Sequence, residues 1–227
     1  MSSLTQRRPH SLSPRGLLVA GSIAAVVAAV IFVSLAWKVA SYAPLVVFDQ
    51  KVATWLHQHG TPELTAFMYA VTTMHDIAGV ALLSLAFGAV LAWLRQWYWL
   101  LTLALAMGGG MAFNSLIKEV FARIRPYFDD PWVTLSSYSF PSGHTAGATL
   151  FYGVVAAFLV SRFAAPTQRI ACLLGALFAI ALVAFSRMYL GAHYMSDVAA
   201  AACSSLVWLV LSLAAVHALV RRRTRSS

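Results

Sequence analysis

The stretch LLVAGSIAAVVAAVIFVSLAW, residues 17–37, contains no charged side chain. Crossing the hydrocarbon core of a bilayer takes roughly 20 consecutive apolar residues in a helix, and this run has that length. Only helices or closed barrels span lipid, because no water is present there to satisfy the backbone. Five further apolar segments follow, at 77–94, 97–117, 143–160, 170–185 and 198–220. The fifth is short for a span and is expected to continue into the charged residues after it. The fold expected is therefore all-α: a polytopic membrane protein with six transmembrane helices.

Composition agrees. Of the 227 residues, 60% are hydrophobic and 10% charged, where a soluble domain carries about a quarter charged. The chain has room for one domain: a cytoplasmic segment 1–16, a six-helix domain 17–220 and a basic cytoplasmic tail 221–227. The apolar core of the first run is too long for the usual secretory leader, with cleavage after Ala36 the alternative. The net charge of +9 does not point to nucleic acid, since the basic residues sit in short segments between apolar runs.

Those residues set the orientation instead. With the N-terminus inside, the inner segments hold Arg7, Arg8, Arg15, Arg95, Arg162, Arg169, Arg221, Arg222, Arg223 and Arg225. The outer segments hold Lys38, Lys51, Lys118, Arg123, Arg125 and Arg187, with all seven acidic residues. The basic excess places both termini in the cytoplasm, and Trp37, Trp93, Trp97 and Trp99 lie at span ends as an interfacial belt requires.

Between the first two runs, Leu45, Phe48, Val52, Trp55 and Leu56 recur at helical spacing. Asp49, Gln50, Lys51, Thr54 and Gln58 fill the other face, which predicts an amphipathic helix in the outer interface. His57 and His59 on it read as solvated. Gly108, Gly109 and Gly110 predict close packing or a local bend. Cys172 and Cys203 read as small packing residues at different depths, without a disulfide.

Three polar clusters break the apolar pattern on the outer side. The first runs from Lys118 to Arg125 and Pro126; if the third helix continues outward, positions seven apart share a face. The second is Phe140-Pro-Ser-Gly-His144, where Ser142 suits a helix cap. The free N–H groups of such a helix start bind anions, and Gly143 lets an anion approach. The third is Ser186-Arg187, then His193 and Asp197, spaced four apart as neighbours on one helical face. A carboxylate bonded to one imidazole nitrogen fixes which nitrogen is free to react. Any one of these cations alone would read as an interfacial side chain that snorkels. Three cations, two histidines, a carboxylate and a Gly-containing helix start converge at one edge and read as a functional, anion-binding site.

At these residues the chain resembles the type 2 phosphatidic acid phosphatase superfamily, which also contains vanadium haloperoxidases and glucose-6-phosphatase. The signature is Lys, six residues, Arg-Pro; then Pro-Ser-Gly-His; then Ser-Arg, five residues, His, three residues, Asp. All three motifs occur without departure, at 118–126, 141–144 and 186–197.

The resemblance implies the following roles. His193 would be the nucleophile that forms a phosphohistidine, and Asp197 would orient it. His144 would protonate the leaving oxygen and then activate water. Lys118, Arg125 and Arg187 would hold the phosphoryl oxygens with Ser142 and the Gly143 N–H. No cofactor or metal is expected, since three cations supply the charge stabilisation and no cluster of acids suited to a metal is visible among the seven. The substrate would be a phosphorylated membrane lipid at the outer face of a bacterial inner membrane. Undecaprenyl diphosphate is the expected choice, because Arg123 adds a cation to the three of the motifs and the outward site matches where that lipid is released during cell-wall synthesis. Phosphatidylglycerol phosphate or phosphatidic acid hydrolysis, or phosphoryl transfer between lipids, is the alternative. Glu119, Asp129, Asp130 and Trp132 flank the site.

Overall fold

The computed structural model describes residues 14–42 and 44–226, and among these every regular element is helical. Arg7 and Arg8, with most of the expected segment 1–16, lie outside the described residues. The elements are α1 (Pro14–Ala40), α2 (Pro44–Gln58), α3 (Pro62–Met74), α4 (Ile77–Trp93), α5 (Trp97–Ala104), α6 (Gly110–Phe121), α7 (Gly143–Arg162), α8 (Pro166–Tyr189) and α9 (Met195–Ser226). A π turn, Leu105–Gly109, joins α5 and α6 into one continuous rod.

Five of the helical rods are long and apolar enough to cross a membrane: those of α1, α5–α6, α7, α8 and α9. A sixth follows if α3 and α4, bent by 54° at their junction, count as one span. The apolar run at 77–94 is thus one limb of a bent pair whose other limb, α3, the hydrophobic pattern did not announce. The bend has a local cause. Asp76 caps α4 by accepting from Gly79 N at 2.7 Å, while Thr61 caps α3. A Cβ on Gly79 would lie 2.3 Å from the Met74 carbonyl oxygen, so only glycine admits this close approach.

The core is organised around α7. Leu150 and Val154 on it are fully buried against Leu91, Leu103 and Leu209 from α4, α5 and α9. Small side chains let the neighbouring rods come close, as packing within lipid requires. Gly153 is covered by Leu209, and Gly110 by Leu150 and Trp208. The three-glycine run does what its composition suggested. It ends a π turn, and Trp208 Nε1 donates to the Leu105 carbonyl there at 3.2 Å. Both cysteines are free.

Two local expectations are corrected. The helix carrying Lys118 does not continue to Pro126; it stops at Phe121, with Ala122 in the left-handed region at φ 44°. Helix α2 forms where expected, but its inward face is Leu45, Asp49, Val52, Ala53 and Leu56, with Phe48 and Trp55 exposed. Asp49, assigned to the solvated face, is fully buried. The C-terminal ends of α6 and α8 and the N-terminal ends of α7 and α9 meet at one edge of the bundle, where the irregular segment 122–142 links α6 to α7 and the turn 190–194 links α8 to α9.

Candidate active site

The four helix ends deliver all three motifs to one place. A cavity of about 790 Å³ is lined by Lys118, Arg125, Gly143, His144, Arg187 and His193. Its apolar continuation runs along Val80, Ala81, Met107 and Met111, between α4 and the α5–α6 rod. Ser142 is the one expected phosphate contact that does not line it. The Ser142 hydroxyl caps α7 instead, accepting from Thr145 N at 3.5 Å and from Thr145 Oγ1 at 3.1 Å. That cap presents the first turn of α7, where N–H groups have no intrahelical acceptor, through Gly143 and His144. Asn114 stands beside Gly143, and its buried Oδ1 makes no hydrogen bond within the protein.

The cations are held by neutral acceptors. Lys118 Nζ donates to the Tyr138 carbonyl at 2.7 Å. Arg125, brought round by the turn at Ala122 and not by a continuing helix, donates to the carbonyls of Ser137 at 2.6 Å, Tyr138 at 3.0 Å and Ala192 at 2.5 Å. Arg187 is buried, donates to the Thr72 hydroxyl, and leaves its Nε–H without a protein acceptor.

His193 lies in the turn before α9, and Asp197 in its first helical turn, so the pair does not share a regular helical face as the spacing suggested. Their approach is still close: His193 Nδ1 is 3.7 Å from Asp197 Oδ2. Ser139 Oγ stands between them, donating to Asp197 Oδ2 at 2.5 Å and lying 3.5 Å from His193 Nδ1. On the other side, His193 Nε2 is 3.2 Å from Arg125 Nη1. A guanidinium can only donate, so Nε2 is the acceptor and the ring proton sits on Nδ1, facing Asp197. The nitrogen that carries a lone pair therefore faces the cavity. Burial disfavours a charged ring, and Arg125 and Arg187 add to that against the opposing pull of Asp197. The His193 pKa is lowered to about 3.

Sequence reasoning missed the other partner of Asp197. Arg123 Nη1 donates to Asp197 Oδ1 at 2.5 Å, and its Nη2 to Asp49 Oδ2 at 2.8 Å. Asp49 also accepts from the Ser196 hydroxyl and from Ser196 N at 3.1 Å. The guanidinium stacks over Tyr194 at 4.3 Å. Burial works against the Arg123 charge, but Asp197 and Asp49 outweigh it and hold its pKa above the ordinary value. Arg123 is thus committed to two carboxylates and does not line the cavity as a fourth cation. His57 is not solvated either. It stacks on Phe128 at 4.1 Å, packs against Trp132, and its Nε2 lies 2.9 Å from Asp130.

Comparison with known proteins agrees with this geometry. Residues 97–221 match the PAP2 superfamily. The chain is 34% identical over 139 residues to phosphatidylglycerophosphatase B of Bacillus subtilis (strain 168), covering 60% of this chain and 68% of that protein. The crystal structure of the first transmembrane PAP2 type phosphatidylglycerolphosphate phosphatase from Bacillus subtilis superposes with a TM-score of 0.75 at 28% identity. The match covers 87% of this chain and 96% of that one.

The neutral state of His193 makes a prediction about acid stability. In the folded protein the ring stays neutral down to about pH 3, whereas unfolded it takes a proton near pH 6.5. Its contribution is complete above pH 6.5 and is lost as pH falls below that value, by up to about 1.4 kcal/mol per pH unit. Melting curves in detergent from pH 7 to 4.5 should fall more steeply for the wild-type protein than for His193→Gln. Parallel curves would contradict the assignment of a neutral, buried imidazole.

Proposed function

The chain belongs to the PAP2 superfamily, and we propose that it is a lipid phosphatase whose preferred substrate is a phosphate monoester of the phosphatidylglycerol phosphate type. Membership, together with the likeness to a phosphatidylglycerophosphatase, makes it a membrane phosphatase, a phosphoric monoester hydrolase. The observation that carries the finer reading is the commitment of Arg123. One of the grounds for a prenyl diphosphate was a fourth cation facing the substrate, and that cation is bound to Asp49 and Asp197 instead. Three cations, Lys118, Arg125 and Arg187, remain for the three non-bridging oxygens of a monoester. The Bacillus subtilis relative is a phosphatidylglycerophosphatase, which agrees with this choice. The apolar continuation of the cavity suits a lipid tail, since ligand sites combine apolar walls with a few placed polar groups.

In the proposed mechanism, a phosphate dianion enters and takes over the N–H donors that the backbone carbonyls of segment 122–142 now hold. Arg125 turns from His193 Nε2 to a phosphoryl oxygen. Arg187 Nε and the Gly143 N–H supply further donors, so negative charge is met by oriented donors that need no rearrangement during reaction. The incoming dianion also favours the protonated form of His144 beside it. His193 Nε2 then attacks phosphorus with its lone pair. The bond from phosphorus to the ester oxygen breaks, and the departing oxygen takes a proton from His144. The phosphorylated ring keeps its Nδ1–H, stabilised by Asp197. Next, water attacks phosphorus while neutral His144 accepts its proton. The bond to Nε2 breaks, its electron pair returns to the ring, and inorganic phosphate leaves. Splitting the reaction at a covalent intermediate divides one high barrier into two lower ones. Ser142 acts through the cap of α7 in this scheme, not by direct contact.

For topology, we infer six spans with α3 and α4 as one bent span, α2 in the outer interface, both termini cytoplasmic and segment 122–142 outside. The membrane domain would be 17–220 between cytoplasmic segments 1–16 and 221–227. The charge asymmetry supports this.

Two measurements test these readings. The first is phosphate release in detergent micelles, with EDTA present, from phosphatidylglycerol phosphate, phosphatidic acid and undecaprenyl diphosphate. The kcat/KM for phosphatidylglycerol phosphate should exceed that for the prenyl diphosphate by at least about tenfold, or about 1.4 kcal/mol of transition-state binding. His193→Ala should remove activity with all three. The reverse order would restore the prenyl assignment, and phosphoryl transfer to added lipid in place of release would identify a transferase. The second is labelling of intact cells with an impermeant thiol reagent, in a background lacking Cys172 and Cys203. Asp130→Cys should react and Ser226→Cys should not; the opposite pattern would invert the topology.

A further inference from the structure

We propose that Arg123 and Asp49 are positioning residues for phosphoryl transfer: together they hold the Asp197 carboxylate against His193, and they leave the buried group of three with one net negative charge for the phosphorylated ring. The inference rests on the lipid-phosphatase reading above.

The geometry is two-pronged. One guanidinium arm reaches Asp197 Oδ1 at 2.5 Å, and the other reaches Asp49 Oδ2 at 2.8 Å. With Oδ1 tied in this way, Asp197 Oδ2 is turned to Ser139 Oγ, Tyr194 N at 2.9 Å and His193 Nδ1. The plane of the guanidinium is fixed by Tyr194, and Ser196 at the start of α9 ties Asp49 to the same helix turn as Asp197. Both carboxylates are fully buried, and Arg123 is 9% exposed. Bulk solvent therefore does little to screen them.

Charge counting gives the arrangement its purpose. Two carboxylates and one guanidinium sum to a single negative charge. A ring phosphorylated on Nε2 and still protonated on Nδ1 is a cation, and this buried group supplies one counter-charge beside it. Arg123 alone would cancel Asp197 and leave the ring without that counter-charge. Asp49, delivered from α2, restores it. Removing Arg123 instead leaves two buried carboxylates facing each other, where one must take up a proton or the site must open. Neither residue lines the cavity that holds His193 and the three cations. Their effect is confined to the step that charges the ring, so it belongs in kcat and not in KM.

The test uses the full-length protein in detergent micelles with phosphatidic acid as substrate. Phosphate release is measured for Asp49→Asn, Asp49→Glu, Arg123→Gln and the double variant Asp49→Asn/Arg123→Gln, each normalised to folded protein by melting. Asp49→Asn and Arg123→Gln should each lower kcat about 100-fold with KM little changed. Asp49→Glu should recover most of the loss. The double variant, whose remaining charge is Asp197 alone, should be faster than Arg123→Gln, because the single negative charge is restored. Normal kcat per folded molecule in the single variants, a change in KM alone, or a double variant at the product of the two single losses would overturn the proposal. Should Asp49→Asn or Arg123→Gln not fold, Asp49→Glu and Arg123→Lys decide. A lysine keeps the charge sum but cannot reach both carboxylates at once, so Arg123→Lys should lower kcat while Asp49→Glu stays within about tenfold of wild type; unchanged kcat in Arg123→Lys, or full loss of kcat in folded Asp49→Glu, overturns the proposal. A wild-type protein that released no phosphate would strike instead at the functional reading on which this one rests.

Discussion

Asp197 has no exposure to solvent, and the rest of the site is arranged to satisfy it. A buried carboxylate is stable only when its charge is paired and its lone pairs are met by donors. Here the donors come from two separate places. Arg123 and Ser139 belong to the segment after α6, Tyr194 N to the turn before α9, and the His193 ring to the same turn. Asp49 completes the balance from α2. Satisfying one carboxylate therefore fixes where α2, segment 122–142 and the start of α9 stand relative to one another. The position of His193 follows from that constraint.

A second constraint is the crowding of like charges. Lys118, Arg125 and Arg187 converge on one cavity and repel each other. Their N–H donors are held by the carbonyls of Ser137, Tyr138 and Ala192 and by the Thr72 hydroxyl. These acceptors carry only partial charge, so an incoming phosphate can replace them. The bend between α3 and α4 serves the same cavity, since His75 and Asp76 at the break line it together with Val80 of α4. The apolar arm beyond them lets a phosphorylated head group meet the cations while its chain remains among apolar side chains.

Much of this was legible in the sequence, for a physical reason. Apolar run length reports helices in lipid directly, so α1, the α5–α6 rod, α7, α8 and α9 were expected close to where they stand. The motifs named Lys118, Arg125, Gly143, His144, Arg187 and His193, which the structure brings together around one cavity. What escaped were contacts between residues far apart in the chain. Arg123 meets Asp49 across 74 positions, and Ser196 meets Asp49 across 147. Asp49 was misread because hydrophilic character was equated with a solvated face. Yet it falls in line with Leu45, Val52, Ala53 and Leu56, and an acid within an apolar stripe is itself a sign of a buried partner. Helix α3 escaped because its Thr- and Glu-containing run looks like a loop until the cap at Thr61 and the bend after Met74 are known. The end of α6 escaped because Ala122 adopts a left-handed conformation that alanine does not advertise.

The central claim is that His193 carries the phosphoryl group covalently between the two halves of the reaction. The most direct measurement is rapid quenching of the enzyme during turnover of a lipid labelled in its phosphate, followed by mapping of any protein-bound label. The account predicts an acid-labile, base-stable label on a single peptide containing His193, formed and consumed as fast as the enzyme turns over. Turnover at full rate with no protein-bound label at any quench time, or a label on another residue, would contradict it.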